Sequence, residues 1–277
     1  MLVGLKDVLA IAEKNSYAVG AFNVPNLECI RSVINNAEKY NVPVILSHFP
    51  PHEYAAPLDV IGPIMLLSAE RASVPVCVHL DHCDDMEYMK RALDLGFTGV
   101  MYDGSTLPYD ENVAGTLKAV ELAHSYGVGI EAEIGKLAAR EGGIDDGAPI
   151  YTEPEFAVRF VADTGVDALA ISFGTSHGIY KSNPVLDLDR VGEIDNLVDV
   201  PLVMHGGSGV SPDDYRAAIK NGIRKINYFS YMSNEGTKAA IQLLNSKDIT
   251  FFQDITFAAQ QAMTADAEKA MKVFYNL

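Results

Sequence analysis

Residues 74–103 read VPVCVHLDHCDDMEYMKRALDLGFTGVMYD, and their pattern sets the architecture. The apolar run 74–80 has the length of a buried strand. Asp84 and Asp85 follow it and lead into an amphipathic stretch at 86–95, as acidic residues do at helix starts. Gly96 supplies the stop, and a second apolar run occupies 99–102. The segment is one strand–helix–strand unit.

The same alternation continues in both directions. Strands are expected at 18–22, 43–46, 128–133, 168–172, 201–204 and 225–227, which with 74–80 and 99–102 makes eight. Their starts lie about 25 to 40 residues apart, the length of a repeated strand–helix unit. Helical periodicity marks 27–40, 111–124, 154–164 and 212–221, the last opened by Ser211-Pro212-Asp213-Asp214. Gly127, Gly165 and Gly222 end helices ahead of the next strand. Eight such units predict an α/β fold, a (β/α)8 TIM barrel, as one domain over 1–277 with a helical extension at 254–277. The rival, a doubly wound open sheet binding a dinucleotide, lacks its Gly-x-Gly-x-x-Gly turn after the first strand.

Composition narrows the function. The 277 residues carry 21 Lys and Arg against 37 Asp and Glu, a formal net charge of -16, which argues against binding a nucleic-acid backbone. A small anion remains open, since backbone N–H groups, a metal and one or two cations can hold it. Cys29, Cys77 and Cys83 are too few and odd in number for a disulfide framework, so a reducing cytoplasm is expected. Lys6, Asp7 and Glu13 interrupt the N-terminal stretch, which has no signal-peptide core, and no apolar run is long enough to span a bilayer.

Polar residues crowd the C-terminal ends of the expected strands, where barrels place their chemistry. Four of the seven histidines, His79, His82, His177 and His205, sit at the ends of strands three, six and seven. Three imidazoles with one open position suit catalytic zinc, and His82, His177 and His205 are the expected ligands. A lone strand-end histidine is more often a hydrogen-bonded or surface residue; the joint pattern is what favours a metal site. His79 shares the interior-facing side of its strand with Asp81 and is less expected to act directly. His48 and His52 lie in a Pro-flanked loop and are expected to be solvated, with a substrate contact as the alternative, and His124, late in a helix, to be structural. Asp81 and Glu133 each suit either of two roles, orienting a ligand or exchanging protons. His205-Gly206-Gly207-Ser208-Gly209, between a strand and a helix, reads as a phosphate-binding turn, with Lys181 as a nearby cation.

These segments resemble the class II, zinc-dependent ketose-bisphosphate aldolases, which include the fructose- and tagatose-bisphosphate enzymes. The resemblance runs from about Val19 to Asn227. It rests on Val19-Gly20-Ala21-Phe22-Asn23, His79-Leu80-Asp81-His82-Cys83, Asp103-Gly104-Ser105, Glu131-Ala132-Glu133-Ile134-Gly135, Gly174-Thr175-Ser176-His177-Gly178-Ile179-Tyr180-Lys181, His205-Gly206-Gly207-Ser208-Gly209 and Lys225-Ile226-Asn227. It implies an aldolase that cleaves a phosphorylated ketose reversibly into dihydroxyacetone phosphate and an aldehyde. His82, His177 and His205 then hold zinc, Asp81 exchanges the proton of the C4 hydroxyl, and Glu133 assists the metal site. Asn23, Ser47, Gly178, Lys181, Gly206, Gly207, Ser208, Asn227 and Ser230 hold the sugar phosphate. A monovalent cation (Na⁺ or K⁺) near the phosphate and a homodimer or homotetramer are further implications.

Some positions depart from the family pattern. Ser47-His48-Phe49-Pro50-Pro51 replaces a Ser-Glu-Gly-type loop. Gly142-Gly143-Ile144-Asp145-Asp146 places Asp145 where relatives carry a catalytic glutamate. Ser230-Tyr231 stands where a Thr-Glu or Thr-Asp pair is usual. Asp254-Ile255-Thr256 lacks the arginine that can hold a distal phosphate, leaving Arg140 as a substitute or the distal group unphosphorylated. Rival readings are a metal-dependent barrel hydrolase and a non-catalytic sugar-phosphate-binding barrel. The first lacks its His-x-His pair on strand one, which ends Phe22-Asn23-Val24.

Overall fold

The computed structural model describes residues 1–137, 149–246 and 249–277. Eight parallel strands close into a barrel in chain order: β1 (Val19–Asn23), β2 (Val44–His48), β3 (Val76–Cys83), β4 (Gly99–Tyr102), β5 (Gly129–Ile134), β6 (Ala168–Ile171), β7 (Leu202–Met204) and β8 (Ile223–Tyr228). The chain is therefore the (β/α)8 barrel its alternation predicts. The helices that follow the strands are α2 (Leu27–Tyr40), α3 (Leu58–Arg71), α4 (Met86–Leu95), α5 (Tyr109–Ser125), α6 (Pro154–Thr164), α7 (Leu188–Asp195), α8 (Pro212–Lys220) and α9 (Ser230–Ser246). Several start where a short polar side chain takes an otherwise unpaired N–H: Asn26 accepts from Cys29 N, Asp85 from Glu87 and Tyr88 N, and Ser211 from Asp214 N.

Three strands run past their expected ends into polar residues. β1 reaches Asn23, β2 reaches His48 and β3 reaches Cys83. Pairing sets these limits, since Asn23 stays in register with Ser47, and Ser47 with His79. Hydrophobicity alone marks only the part of a strand that faces helices or the barrel core.

Two helices frame the barrel. α1 (Leu5–Asn15) buries Leu5, Val8, Leu9 and Ala12 against the strand starts. A Cβ added at Gly99 or Gly129, where β4 and β5 begin, would come within 3.0 and 3.4 Å of Leu5 Cβ. The N-terminal end is thus plugged, and the C-terminal end is left as the mouth. The extension expected at 254–277 is one helix, α10 (Phe252–Phe274), packed on α2 and α9. Ser32 Oγ donates to Gln260 O at 3.1 Å and Asn36 Nδ2 to Thr264 O at 2.7 Å, tying α10 to α2. Among the described residues no helix is long and apolar enough to cross a membrane.

Candidate active site

β3, β6 and β7 bring their terminal histidines to one point in the mouth. One nitrogen each from His82, His177 and His205 lies within 4.8 Å of the other two. His82 should face the helices, because its neighbour Asp81 faces the barrel interior. A one-residue bulge between Leu80 and Cys83 and a left-handed backbone at His82 (φ 47°) turn its ring into the mouth instead. That conformation is strained for a non-glycine residue, and strain of this kind persists where surrounding contacts hold it.

A hydrogen-bond chain fixes the rings. His82 Nδ1–H donates to Asp103 Oδ2 at 2.7 Å, and His82 Nε2 lies 2.8 Å from His205 Nδ1. His205 Nε2–H donates to Glu131 Oε1 at 2.7 Å. Lys225 Nζ sits 2.7 Å from Glu131 Oε2, and both side chains are fully buried in the barrel. Burial pushes the His82 ring down, but Asp81, Asp103 and Glu133 overrule it and lift the ring to about 10. Burial and the His82 charge hold His205 well below the usual range, so the single shared proton belongs to His82. Loss of that proton leaves two nitrogen lone pairs 2.8 Å apart with His177 alongside. Three converging imidazoles fit a nitrogen-preferring divalent ion, whose bonds of about 2.1 Å place ligand nitrogens about 3.4 Å apart.

Two carboxyl groups behave differently. Asp81 is fully buried; Asn227 Nδ2 donates to its Oδ1 at 2.9 Å, and its Oδ2 has no hydrogen-bond partner among the described residues. Burial alone would raise it, but His82, His205, Lys225 and His79 bring it down to about 2. Glu133 lies 4.0 Å from His82 Nδ1, whose proton goes to Asp103. Burial and the Asp103 charge raise Glu133 well above the carboxylate range.

Seven of the expected residues line one small pocket beside the histidines: Asn23, His177, Gly178, Gly206, Ser208, Asn227 and Ser230. Gly206 has φ 63° and packs 2.6 Å, measured from an added Cβ, from the Ser176 backbone, so only glycine fits. Ser208 Oγ accepts from Phe229 N at 2.8 Å and Ser230 N at 3.1 Å, which pins the start of α9. Tyr180 Oη donates to Gly206 O at 2.8 Å and accepts from Ser176 N at 2.8 Å, locking the loops after β6 and β7 together. Gly207, Lys181 and Ser47 are not among the lining residues of this pocket. Gly207 packs against Ile226 and Asn227, Lys181 is exposed, and Ser47 is buried at the end of β2 with its Oγ unpartnered among the described residues.

The loop histidines differ from expectation. His48 is 2% exposed, not solvated. Its Nε2–H donates to Tyr88 Oη at 2.7 Å, and that hydroxyl donates to Glu53. His52 is half-buried between the Phe49 and Phe229 rings, at centroid distances of 5.2 and 5.0 Å. Sequence reasoning also left Asp103, Glu131 and Lys225 without roles. The parity of β5 and β8 was the available signal, since it puts Glu131 on the side of Glu133 and Lys225 on the side of Asn227. Asp145 and Arg140 lie outside the described residues.

Comparison with known proteins places the chain among aldolases. The family model "Fructose-bisphosphate aldolase class-II" matches residues 3–276. The fructose-bisphosphate aldolase of Staphylococcus aureus is 38% identical over 251 residues, covering 88% of this chain and 87% of that protein. Its Staphylococcus epidermidis counterpart is 37% identical over 255 residues, covering 90% and 88%. The crystal structure of the YdjI aldolase from Escherichia coli K12 superposes with a TM-score of 0.88 at 32% identity, covering 99% of this chain and 97% of that one.

Proposed function

Because the chain belongs to the class II fructose-bisphosphate aldolase family, and so is a carbon–carbon lyase, we propose that it is a zinc enzyme cleaving a ketose phosphate. The products are dihydroxyacetone phosphate and an aldehyde, formed reversibly. Fructose 1,6-bisphosphate, tagatose 1,6-bisphosphate and a ketose 1-phosphate are the candidate substrates. The observation that carries this reading is the convergence of His82, His177 and His205 beside the buried Asp81. Zinc held by His82, His177 and His205 would supply Lewis-acid stabilisation of the negative charge that gathers on the ketose half.

The remaining steps belong to side chains. The pocket of Gly178, Gly206, Ser208 and Ser230, where α9 begins, seats the phosphate. Asn227 holds Asp81 through Oδ1 and leaves Oδ2 to accept the C4 hydroxyl proton. As that O–H bond breaks, its electron pair forms the aldehyde C=O and the C3–C4 pair stays with the ketose half. In the reverse direction the same proton returns to the aldehyde oxygen. Asp145 is the proposed acid at C3 on sequence grounds. Three free, buried cysteines are compatible with a reducing cytoplasm.

The test is a panel of ketose phosphates assayed for dihydroxyacetone phosphate release, with protein stripped by a chelator and reloaded with zinc. Release that disappears on stripping and returns on reloading supports the reading. No release from any member, together with no exchange of the dihydroxyacetone phosphate C–H proton, overturns it.

A further inference from the structure

A second cavity, of about 450 Å³, opens beside the phosphate pocket and shares Gly178, Phe229 and Ser230 with it. Its other walls come from the loop after β2 (Phe49, His52) and from α9 (Ser233, Asn234, Thr237). No Lys, Arg, Asp or Glu is among its described lining residues. The Phe49 ring meets the edge of His82 at 5.9 Å between centroids, so this cavity adjoins the metal-site histidines. His52 feels the charge of Asp81, the residue that takes the C4 hydroxyl proton in the reaction above. The part of the substrate beyond C4 therefore has room in this cavity.

We propose that this cavity is the subsite for the aldehyde half, and that it selects an uncharged, hydroxylated tail over a phosphorylated one. The inference rests on the aldolase reading and names its substrate class: a ketose 1-phosphate with a neutral distal end. A phosphate dianion moved among the described walls, which carry no cation, loses hydration and gains only neutral hydrogen-bond donors. The chain's net charge of -16 adds a repulsive background for such a dianion. Burial lowers the His52 ring, so the titratable imidazole among the described walls is biased toward its neutral form. What the walls do offer suits a neutral tail. The Phe49 and Phe229 rings present apolar faces to C–H groups, while Ser233, Asn234 and Thr237 present hydroxyl and amide groups to sugar hydroxyls.

The experiment uses zinc-loaded full-length protein in the condensation direction, with dihydroxyacetone phosphate as donor. Glyceraldehyde and glyceraldehyde 3-phosphate, which differ by the phosphate alone, are compared as acceptors. The expected kcat/KM is at least tenfold higher for glyceraldehyde. Asn234→Arg, which places a cation on the cavity wall, is expected to shift that ratio at least tenfold toward the phosphorylated acceptor. Thr237→Lys, at an exposed wall position, makes the same test if the first variant does not fold. Equal or better use of glyceraldehyde 3-phosphate by the wild type overturns the proposal. An unchanged ratio in both folded variants overturns it too, because selection would then reside elsewhere. Exchange of the dihydroxyacetone phosphate C–H proton, measured without any acceptor, separates the two readings. Exchange with the wrong acceptor preference sinks the subsite alone, whereas no exchange removes the aldolase reading and this inference with it.

Discussion

Asp81 and Glu131 show how two buried carboxyl groups a few ångströms from the same histidines come to different tasks. Asp81 keeps Oδ2 unpartnered among the described residues, whereas Glu131 spends its oxygens on His205 and Lys225. Asp81→Asn preserves shape and the Asn227 neighbourhood but removes the proton acceptor. We expect kcat to fall about 10²- to 10⁴-fold with zinc content unchanged; turnover near wild type would remove Asp81 from the proton path. Glu131→Gln should act through His205. The carboxylate fixes which ring nitrogen carries hydrogen, so its loss should weaken metal binding about 10- to 100-fold. Titration with Co²⁺, followed by its visible absorption, reads this without turnover. Asp81 was legible because its strand ends in a run of polar residues. The Glu131–Lys225 pair was not, since 94 positions separate the two in the chain and only barrel closure joins them.

At the scale of the element, the strand ends decide which side chains meet. β3 needs its bulge to present both Asp81 and His82 to the mouth, and period-2 alternation cannot foresee that. β2 shows the opposite case: Ser47 pairs in register with His79 on the inside, so His48 faces the helices. Parity was available in the sequence, but the prolines after His48 read as a solvated loop. The burial of His48 has a consequence for stability. Burial, opposed by the Glu53 charge, lowers its ring from 6.5 to about 4. Between those values the unfolded chain binds a proton that the folded chain refuses, so stability falls as pH drops from 6.5 toward 4. At about 1.4 kcal/mol per unit, His48 accounts for at most about 3 kcal/mol of that loss. His48→Gln keeps a donor for Tyr88 but does not titrate. Urea unfolding at pH 7 and pH 4.5 should show a smaller acid loss in this variant than in wild type; equal losses would assign the acid sensitivity to other groups.

For the whole molecule, eight strand–helix units dictate a mouth, and α1 closes the opposite end. The apolar spacing of Leu5, Val8, Leu9 and Ala12 carries that plug in the sequence, where Lys6, Asp7 and Glu13 count only against a signal-peptide core. Global charge also sets how a substrate arrives. An anion approaching a chain of net charge -16 is repelled over a Debye length of about 30 Å at 0.01 M salt and about 8 Å at 0.15 M. Raising ionic strength between those limits should therefore increase kcat/KM for a ketose phosphate, by about two- to fivefold. Tetramethylammonium chloride is the salt to use, because its cation has no N–H donor and no open coordination position and so does not mimic a specific Na⁺ or K⁺ effect. A fall in kcat/KM would mean that a local positive field at the mouth outweighs the global charge. Lys181, exposed four residues beyond His177, is the residue placed to supply such a field. Lys181→Ala should then abolish the fall, while a rise that persists in the variant assigns the effect to the molecule's overall charge.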